Sequence, residues 1–319
     1  MFKIDVIIPT YKPDQKFIQL IQMLEKQTVP VHKIIVLNTE EKYFERLIYG
    51  THFLEHYKNL LVVSHHSVRE FDHGKTRDRG VKCSDADIFV CMTQDAVPKD
   101  EYMLEELVKP FSDDAVAAVY ARQLADDNAG VIERFIREFN YPPQSSVKEK
   151  KDIEQLGIKA FFCSNVCAAY RRTCYDKVGG FIRHAIFNED MIYAANAISH
   201  DYKVAYAAEA EVIHSHNYTN MQQFRRNFDI GVSQAQHPEV FASVPSEGEG
   251  MKLVKMTIQH LKETHNTHRI PGFVVNCGCK FIGYRLGKMY RLLPAGLVLK
   301  CTMNKHYWEH EHHIVLQNR

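Results

Sequence analysis

Along the first 120 residues the apolar positions alternate between two periods. Ile4 to Ile8 form a short, mostly apolar run closed by Pro9 and Thr10, which predicts a buried strand. Over 14–26, Phe17, Ile18, Leu20, Ile21 and Leu24 recur at helical spacing, and "HKIIVLN" at 32–38 predicts a second strand. Strand, helix, strand within about 35 residues is a βαβ unit, whose strands are parallel with a right-handed crossover. The pattern continues as a helix over roughly 41–57, a strand at 60–63, a helix at 75–84, and strands at 88–92 and 115–120. Such alternation predicts the α/β class: a Rossmann-like, mostly parallel open sheet with helices on both faces.

Beyond that point the pattern loosens. Residues 141–152 are polar and marked by Pro142 and Pro143, which predicts a loop, whereas Phe161 and Phe162 read as buried strand. A helix over 190–199 and a strand at 204–206 follow. After about residue 220 only helical periodicity remains, broken at 246–250 ("SEGEG"). The expected division is an α/β domain at 1–220, its two halves meeting near residue 96, and a helical region at 221–319.

Composition narrows the classes. A formal net charge of +1 gives no global attraction for nucleic acid. Eight cysteines without a CxxC pair match neither a zinc site nor a disulfide scaffold, which favours reduced thiols in a cytoplasm. Met1-Phe2-Lys3 leads straight into the first strand, leaving no room for a signal peptide, and no apolar run is long enough to span a bilayer.

The stretch "VCMTQDAVP" at 90–98 ends a strand in one carboxylate, Asp95. Ligands of open α/β sheets bind beyond the carboxyl ends of strands, so Asp95 is placed either to hold a divalent cation or to cap a helix starting at Val97-Pro98. Other polar groups fall at the same edge. Pro9, Thr10 and Tyr11 follow the first strand, and Asn38 the second. Asp72, Lys75 and Arg77 lie in a glycine-flanked loop leading into a helix. Glu189 and Asp190 open a helix, and His214 and His216 share one side of an extended segment.

Taken in order, these pieces resemble the family two glycosyltransferases, inverting enzymes of GT-A fold, and most closely their rhamnosyltransferase-like branch. The matching text is "VIIPTYKP" at 6–13, "TRDRG" at 76–80, "TQDA" at 93–96 in place of a DxD, "VGGF" at 178–181, "NED" at 188–190, "HSHNYT" at 214–219 and "QQFRR" at 222–226. Asn38 stands where many relatives carry an aspartate, and Thr93 where the DxD has its first acid. The resemblance implies transfer of a sugar, L-rhamnose from dTDP-L-rhamnose, to a hydroxyl of a glycan or lipid-linked acceptor in cell-envelope polysaccharide synthesis. It implies Asp190 as the base, with Glu189 beside it as a cap or acceptor contact. It also implies a divalent cation, Mg²⁺ or Mn²⁺, on Asp95 with His214 or His216, the latter favoured. Pro9, Thr10, Tyr11, Asn38, Asp72, Lys75, Arg77 and Gln94 would bind the nucleotide sugar. Arg225 and Arg226 would reach its phosphates as guanidinium forks, unless they lie on a solvated helix face. Ser164, Asn165, Gly179 and Gly180 would line the acceptor side.

From Cys279 to Pro294 apolar and basic residues alternate at helical spacing, which predicts a basic amphipathic helix lying on a membrane surface. Packing on the catalytic domain or on a second copy in a homodimer is the other reading. Rival functions are a UDP-hexose or UDP-N-acetylhexosamine transferase, a non-catalytic nucleotide-sugar binding protein and a nucleotidyltransferase. The last would want a glycine-rich loop after the first strand, where Pro9-Thr10-Tyr11-Lys12-Pro13 stands.

Overall fold

The structure is a computed structural model, and it describes residues 2–216, 218–242 and 247–309. These fall into two compact units. Among the described residues, the first comprises 2–129, 140–183 and 189–215, the second 130–139, 184–188, 216, 218–242 and 247–309.

In the first unit the chain runs β1 (Ile4–Tyr11), α1 (Gln15–Glu25), β2 (Lys33–Thr39), α2 (Glu41–Ile48), α3 (Phe53–His56), β3 (Leu61–His66), α4 (His73–Lys82), β4 (Ile88–Met92), β5 (Val97–Pro98), α5 (Met103–Val108) and β6 (Val116–Leu124). After α6 (Val131–Asn140), nearly all of it in the second unit, come β7 (Ser146–Lys148), α7 (Ile153–Leu156), β8 (Cys167–Arg171), α8 (Arg172–Val178), α9 (Glu189–Ser199) and β9 (Lys203–Ile213). One sheet holds all nine strands, in the order β3-β2-β1-β4-β8-β6-β9-β5, with β7 also on β9. Strands β3, β2, β1 and β4 are mutually parallel, as is the β6–β9 pair; β8, β5 and β7 run antiparallel to their neighbours, so the sheet is mixed.

The apolar runs explain the core. Ile4, Val6, Ile8, Ile34, Val36, Ile88, Val90 and Met92 pack with Phe17, Leu20, Ile21 and Leu24 of α1 in one buried cluster. Each fully buried side chain of this size contributes about 1.5–3 kcal/mol. Asp14 caps α1 by accepting from the Lys16 amide, which fixes where that helix starts.

Several expectations are corrected. The helix expected over 41–57 is two short ones, interrupted at Tyr49-Gly50. Val97-Pro98 opens no helix but forms β5 against β9, so Asp95 caps nothing there. The 141–152 stretch is not all loop, because Ser146–Lys148 pairs with β9. Phe161 ends a 3₁₀ turn (Gly157–Phe161) instead of lying in a strand, although it is buried. Glu247 to Gly250 begin a helix and so do not break one; Ser246 lies outside the described residues.

The second unit is helical: α6, α10 (Asn220–Gln236), α11 (Pro238–Phe241), α12 (Glu247–Glu263), α13 (Ile270–Lys288) and α14 (Ala295–Cys301). Helices α10 and α13 touch backbone to backbone. A Cβ added at Gly283 would lie 2.2 Å from the Phe224 carbonyl oxygen, and one at Gly287 2.1 Å from that of Phe228. Among the described residues no helix is long and apolar enough to cross a membrane.

Candidate active site

The parallel strands β1 to β4 bring Tyr11, Thr39, His66 and Met92 to one edge. Around the ends of β1 and β2 the polar residues bind one another. Thr10 Oγ1 donates to Asn38 Oδ1 at 2.9 Å, and the Asn38 amide nitrogen lies 2.9 Å from His65 Nδ1. Thr10 and Asn38 are buried, Pro9 is partly so, and Tyr11 is 45 % exposed. The Gln94 side chain clamps Tyr11 from both sides, its Oε1 accepting from the Tyr11 amide (2.9 Å) and its Nε2 donating to the Tyr11 carbonyl (3.1 Å). Asp72 caps α4 by accepting from the amides of Gly74 and Lys75, and the Lys75 side chain is exposed.

Asp95 and His214 meet because of strand register. β5 pairs antiparallel with the end of β9, Val97 opposite Ile213, so the residues just before one and just after the other become neighbours. Asp95 Oδ1 lies 3.6 Å from His214 Nε2. The other imidazole nitrogen, Nδ1, is 3.2 Å from Gln123 Oε1 on β6, which as an acceptor places the proton on Nδ1 and leaves the Nε2 lone pair directed toward Asp95. His216, two residues farther along the chain, completes a set whose ligand atoms all lie within 4.8 Å of one another. One carboxylate and two imidazoles suit a divalent cation of the Mn²⁺ or Mg²⁺ type, imidazole favouring the former.

The same glutamine continues the network. Gln123 Nε2 donates to Ser164 Oγ at 2.9 Å, and the backbone amide of the next residue, Asn165, donates to Asp190 Oδ2 at 2.8 Å. Asp190 Oδ1 accepts from its neighbour Met191 at 2.8 Å. Beside it, the buried Glu189 Oε1 accepts from Asn165 Nδ2 and from Arg77 Nη1, both at 3.0 Å, and Tyr170 Oη donates to Asn165 Oδ1 at 2.7 Å. Burial, and then the Glu189 charge, push the Asp190 carboxyl up to about 7. Burial also opposes the charge on Glu189, but Arg77, with His73 and Asn165, outweighs it and holds that carboxyl below its usual range. The two acids are adjacent in sequence yet pushed in opposite directions.

Asp95, His214, Ser164, Asn165, Glu189, Asp190 and Arg77 are thus gathered in one connected system. Gly179 and Gly180 end α8, at φ +97° and +72°, where only glycine is relaxed. Arg225 and Arg226 lie on α10 of the second unit, with the Arg226 guanidinium over the Phe187 ring at 4.8 Å. Gln123 and Tyr170 are participants that sequence reading missed; each sits inside an apolar strand, and only cross-strand pairing reveals its role.

Comparison with known proteins shows the family. The family described as "Glycosyl transferase family 2" matches residues 5–179. Two curated relatives match nearly the whole length. The O-antigen chain rhamnosyltransferase RfbN of Salmonella typhimurium is 40% identical over 308 residues, 96% of either chain. The O-antigen chain rhamnosyltransferase WbaN of Salmonella anatum is 38% identical over 306 residues, 95% of either chain. The chain belongs to glycosyl transferase family 2.

Solved structures agree on the fold of this family 2 glycosyltransferase. The mannosyltransferase PcManGT from Pyrobaculum calidifontis, in complex with GDP-Man and Mn²⁺, superposes with a TM-score of 0.53 at 14% identity, covering 100% of this chain and 88% of that one. S. aureus TarS 1-349, in complex with UDP-GlcNAc, gives a TM-score of 0.50 at 14% identity, with 91% and 92% covered. The expected α/β architecture with a helical C-terminal region is present, and the protein is a glycosyltransferase.

Proposed function

We propose that this glycosyltransferase moves L-rhamnose from dTDP-L-rhamnose to a hydroxyl of a glycan or lipid-linked acceptor in cell-envelope polysaccharide synthesis, inverting the anomeric centre. The observation that carries the reading is the approach of Asp95 to His214, 3.6 Å apart, together with the hydrogen bonds that run from His214 through Gln123 to Ser164 and from the next residue, Asn165, to Asp190, which tie a cation-binding set to a carboxyl near neutrality. The donor sugar rests on the names of the two Salmonella relatives.

Asp190 takes the acceptor's hydroxyl proton as that oxygen bonds to the anomeric carbon. The bond from that carbon to the diphosphate breaks and its electron pair leaves with dTDP. A carboxyl titrating near 7 is basic enough to draw the proton yet substantially ionised at neutral pH. Asp95, His214 and His216 would hold a divalent cation, which supplies charge neutralisation at the departing diphosphate. Tyr11 and Lys75 offer exposed surface to the donor, and Pro9, Thr10, Asn38, Asp72 and Gln94 shape that wall; Arg225 and Arg226, on α10, are the guanidinium forks assigned to its phosphates. Ser164, Asn165, Gly179, Gly180 and Glu189 frame the acceptor side. In this reading residues 1–220 are the catalytic domain and 221–319 a helical region.

A panel of nucleotide sugars tests the donor. Turnover with dTDP-L-rhamnose is expected; turnover with UDP-hexose or UDP-N-acetylhexosamine alone would end the rhamnose assignment.

One further observation supports attachment of the helical region to the cytoplasmic face of a membrane. Residues 264–308 carry seven Lys or Arg and no Asp or Glu, while Val274, Val275, Phe281, Ile282 and Leu292 are exposed. Apolar side chains set among cations alone fit an anionic lipid surface. Two copies meeting through this face would oppose like charges, so a homodimer through it is disfavoured.

A further inference from the structure

The segment read from sequence as a glycine-flanked donor loop is largely helix α4, and it carries an arginine that the fold turns elsewhere. Arg77 is 6 % exposed, and its Nη1 is committed to the Glu189 carboxylate and to the His73 carbonyl, each at 3.0 Å. Glu189 in turn is 4 % exposed and binds the side chain of Asn165, the residue whose backbone amide holds Asp190. We propose that Arg77 is a positioning residue for Asp190, acting through Glu189 and Asn165 without touching donor or acceptor. This rests on the reading of Asp190 as the base.

The argument is geometric first. Asn165 has three anchors: Glu189 on its amide nitrogen, Tyr170 on its amide oxygen, and Asp190 on its backbone N–H. Tyr170 fixes one end of the side chain, and the Arg77–Glu189 pair fixes the other. Without the guanidinium, Glu189 becomes a buried carboxylate stripped of its strongest opposing charge, which must take a proton or turn away. Either outcome removes the charged acceptor from Asn165 and loosens the peptide that aims Asp190. The charge has a second effect. The Glu189 anion favours the protonated form of Asp190, more strongly than Arg77 opposes it, so the pair as a whole makes Asp190 a stronger base.

The test compares Arg77→Lys, Arg77→Met and the double variant Arg77→Met/Glu189→Gln, which leaves no unpaired buried charge and so guards against simple misfolding. Binding of dTDP is read by calorimetry, and turnover is followed with the donor that succeeds in the nucleotide-sugar panel. The Asp190 carboxyl is titrated by carbon NMR, its signal assigned by its loss in Asp190→Asn. Positioning predicts that Arg77→Met loses at least about ten-fold in kcat while dTDP affinity stays within about two-fold, and that Arg77→Lys recovers part of the loss. In the double variant the Asp190 titration, with the acid limb of kcat/KM, moves to lower pH. Weakening of dTDP binding by about ten-fold or more with kcat preserved would return Arg77 to the donor site and overturn the proposal. So would wild-type kcat in Arg77→Met with an unmoved titration in the double variant, provided Asp190→Asn is inactive. If Asp190→Asn itself turns over normally, the base assignment falls first and the positioning role with it.

Discussion

Asp190 carries the sharpest expectation at the scale of single residues. Asp190→Asn should lower turnover by about 10²–10⁴-fold while leaving dTDP binding intact, because only the proton acceptor is lost. A protein that merely bound nucleotide sugars would show no such split. The sign of the pH dependence follows from the raised carboxyl. The proposed base works only when ionised, so kcat/KM should fall by about ten-fold per unit as pH drops below about 7, and level off above it. An acid limb centred near 4 would mean that Asp190 is solvated in the working enzyme. Sequence alone brought Asp95 and His214 to notice as polar residues ending apolar runs, and Asp190 as one of two acids opening a helix. It could not order Glu189 against Asp190 physically, nor see that Arg77 faces inward, because both depend on contacts between residues about a hundred positions apart. Gln123 was invisible for the same reason: its partners lie 41 and 91 residues away.

Among the elements, the first βαβ unit was legible nearly to its ends, because the apolar runs are dense and Asp14 marks the start of α1, although β1 runs on through Pro9 and Thr10, expected to close it, as far as Tyr11. β9 was not. Its "AYAAEAEV" text favours helix by propensity, yet pairing with β6, β7 and β5 makes it an eleven-residue strand, several times the stretch the pattern suggested. β5, only two residues long, has no periodicity to detect. In the helical region the C-terminal text suggested an amphipathic helix, but not that one flank of it would be smooth. Gly283 and Gly287 recur four apart on that flank, and the carbonyls of α10 occupy the space their side chains would need. Gly287→Val should therefore force α10 and α13 apart, at a cost of about 1–3 kcal/mol or more, read as a fall in the melting temperature. Gly278→Ala, on the same helix with nothing within 4 Å of an added Cβ, should instead be neutral or slightly stabilising, since alanine favours helix.

For the whole molecule the distribution of charge matters more than its total. Binding to vesicles of phosphatidylglycerol, but not of phosphatidylcholine, is expected in a sedimentation assay, and Phe281→Ser/Ile282→Ser should weaken it without altering the fold. Each basic residue near an anionic surface adds about 1 kcal/mol, so release by added salt should be steep. Equal retention by neutral vesicles would remove the electrostatic basis of the attachment. The region without acids has a second consequence. With seven cations concentrated in 45 residues and a chain total of only +1, the remainder carries a net −6. A nearly neutral protein built this way is strongly dipolar in sequence, and opposite segments of neighbouring molecules attract one another in dilute buffer. Such a protein is least soluble where ions are scarce and salts in as they are added, so desalting it should promote reversible precipitation.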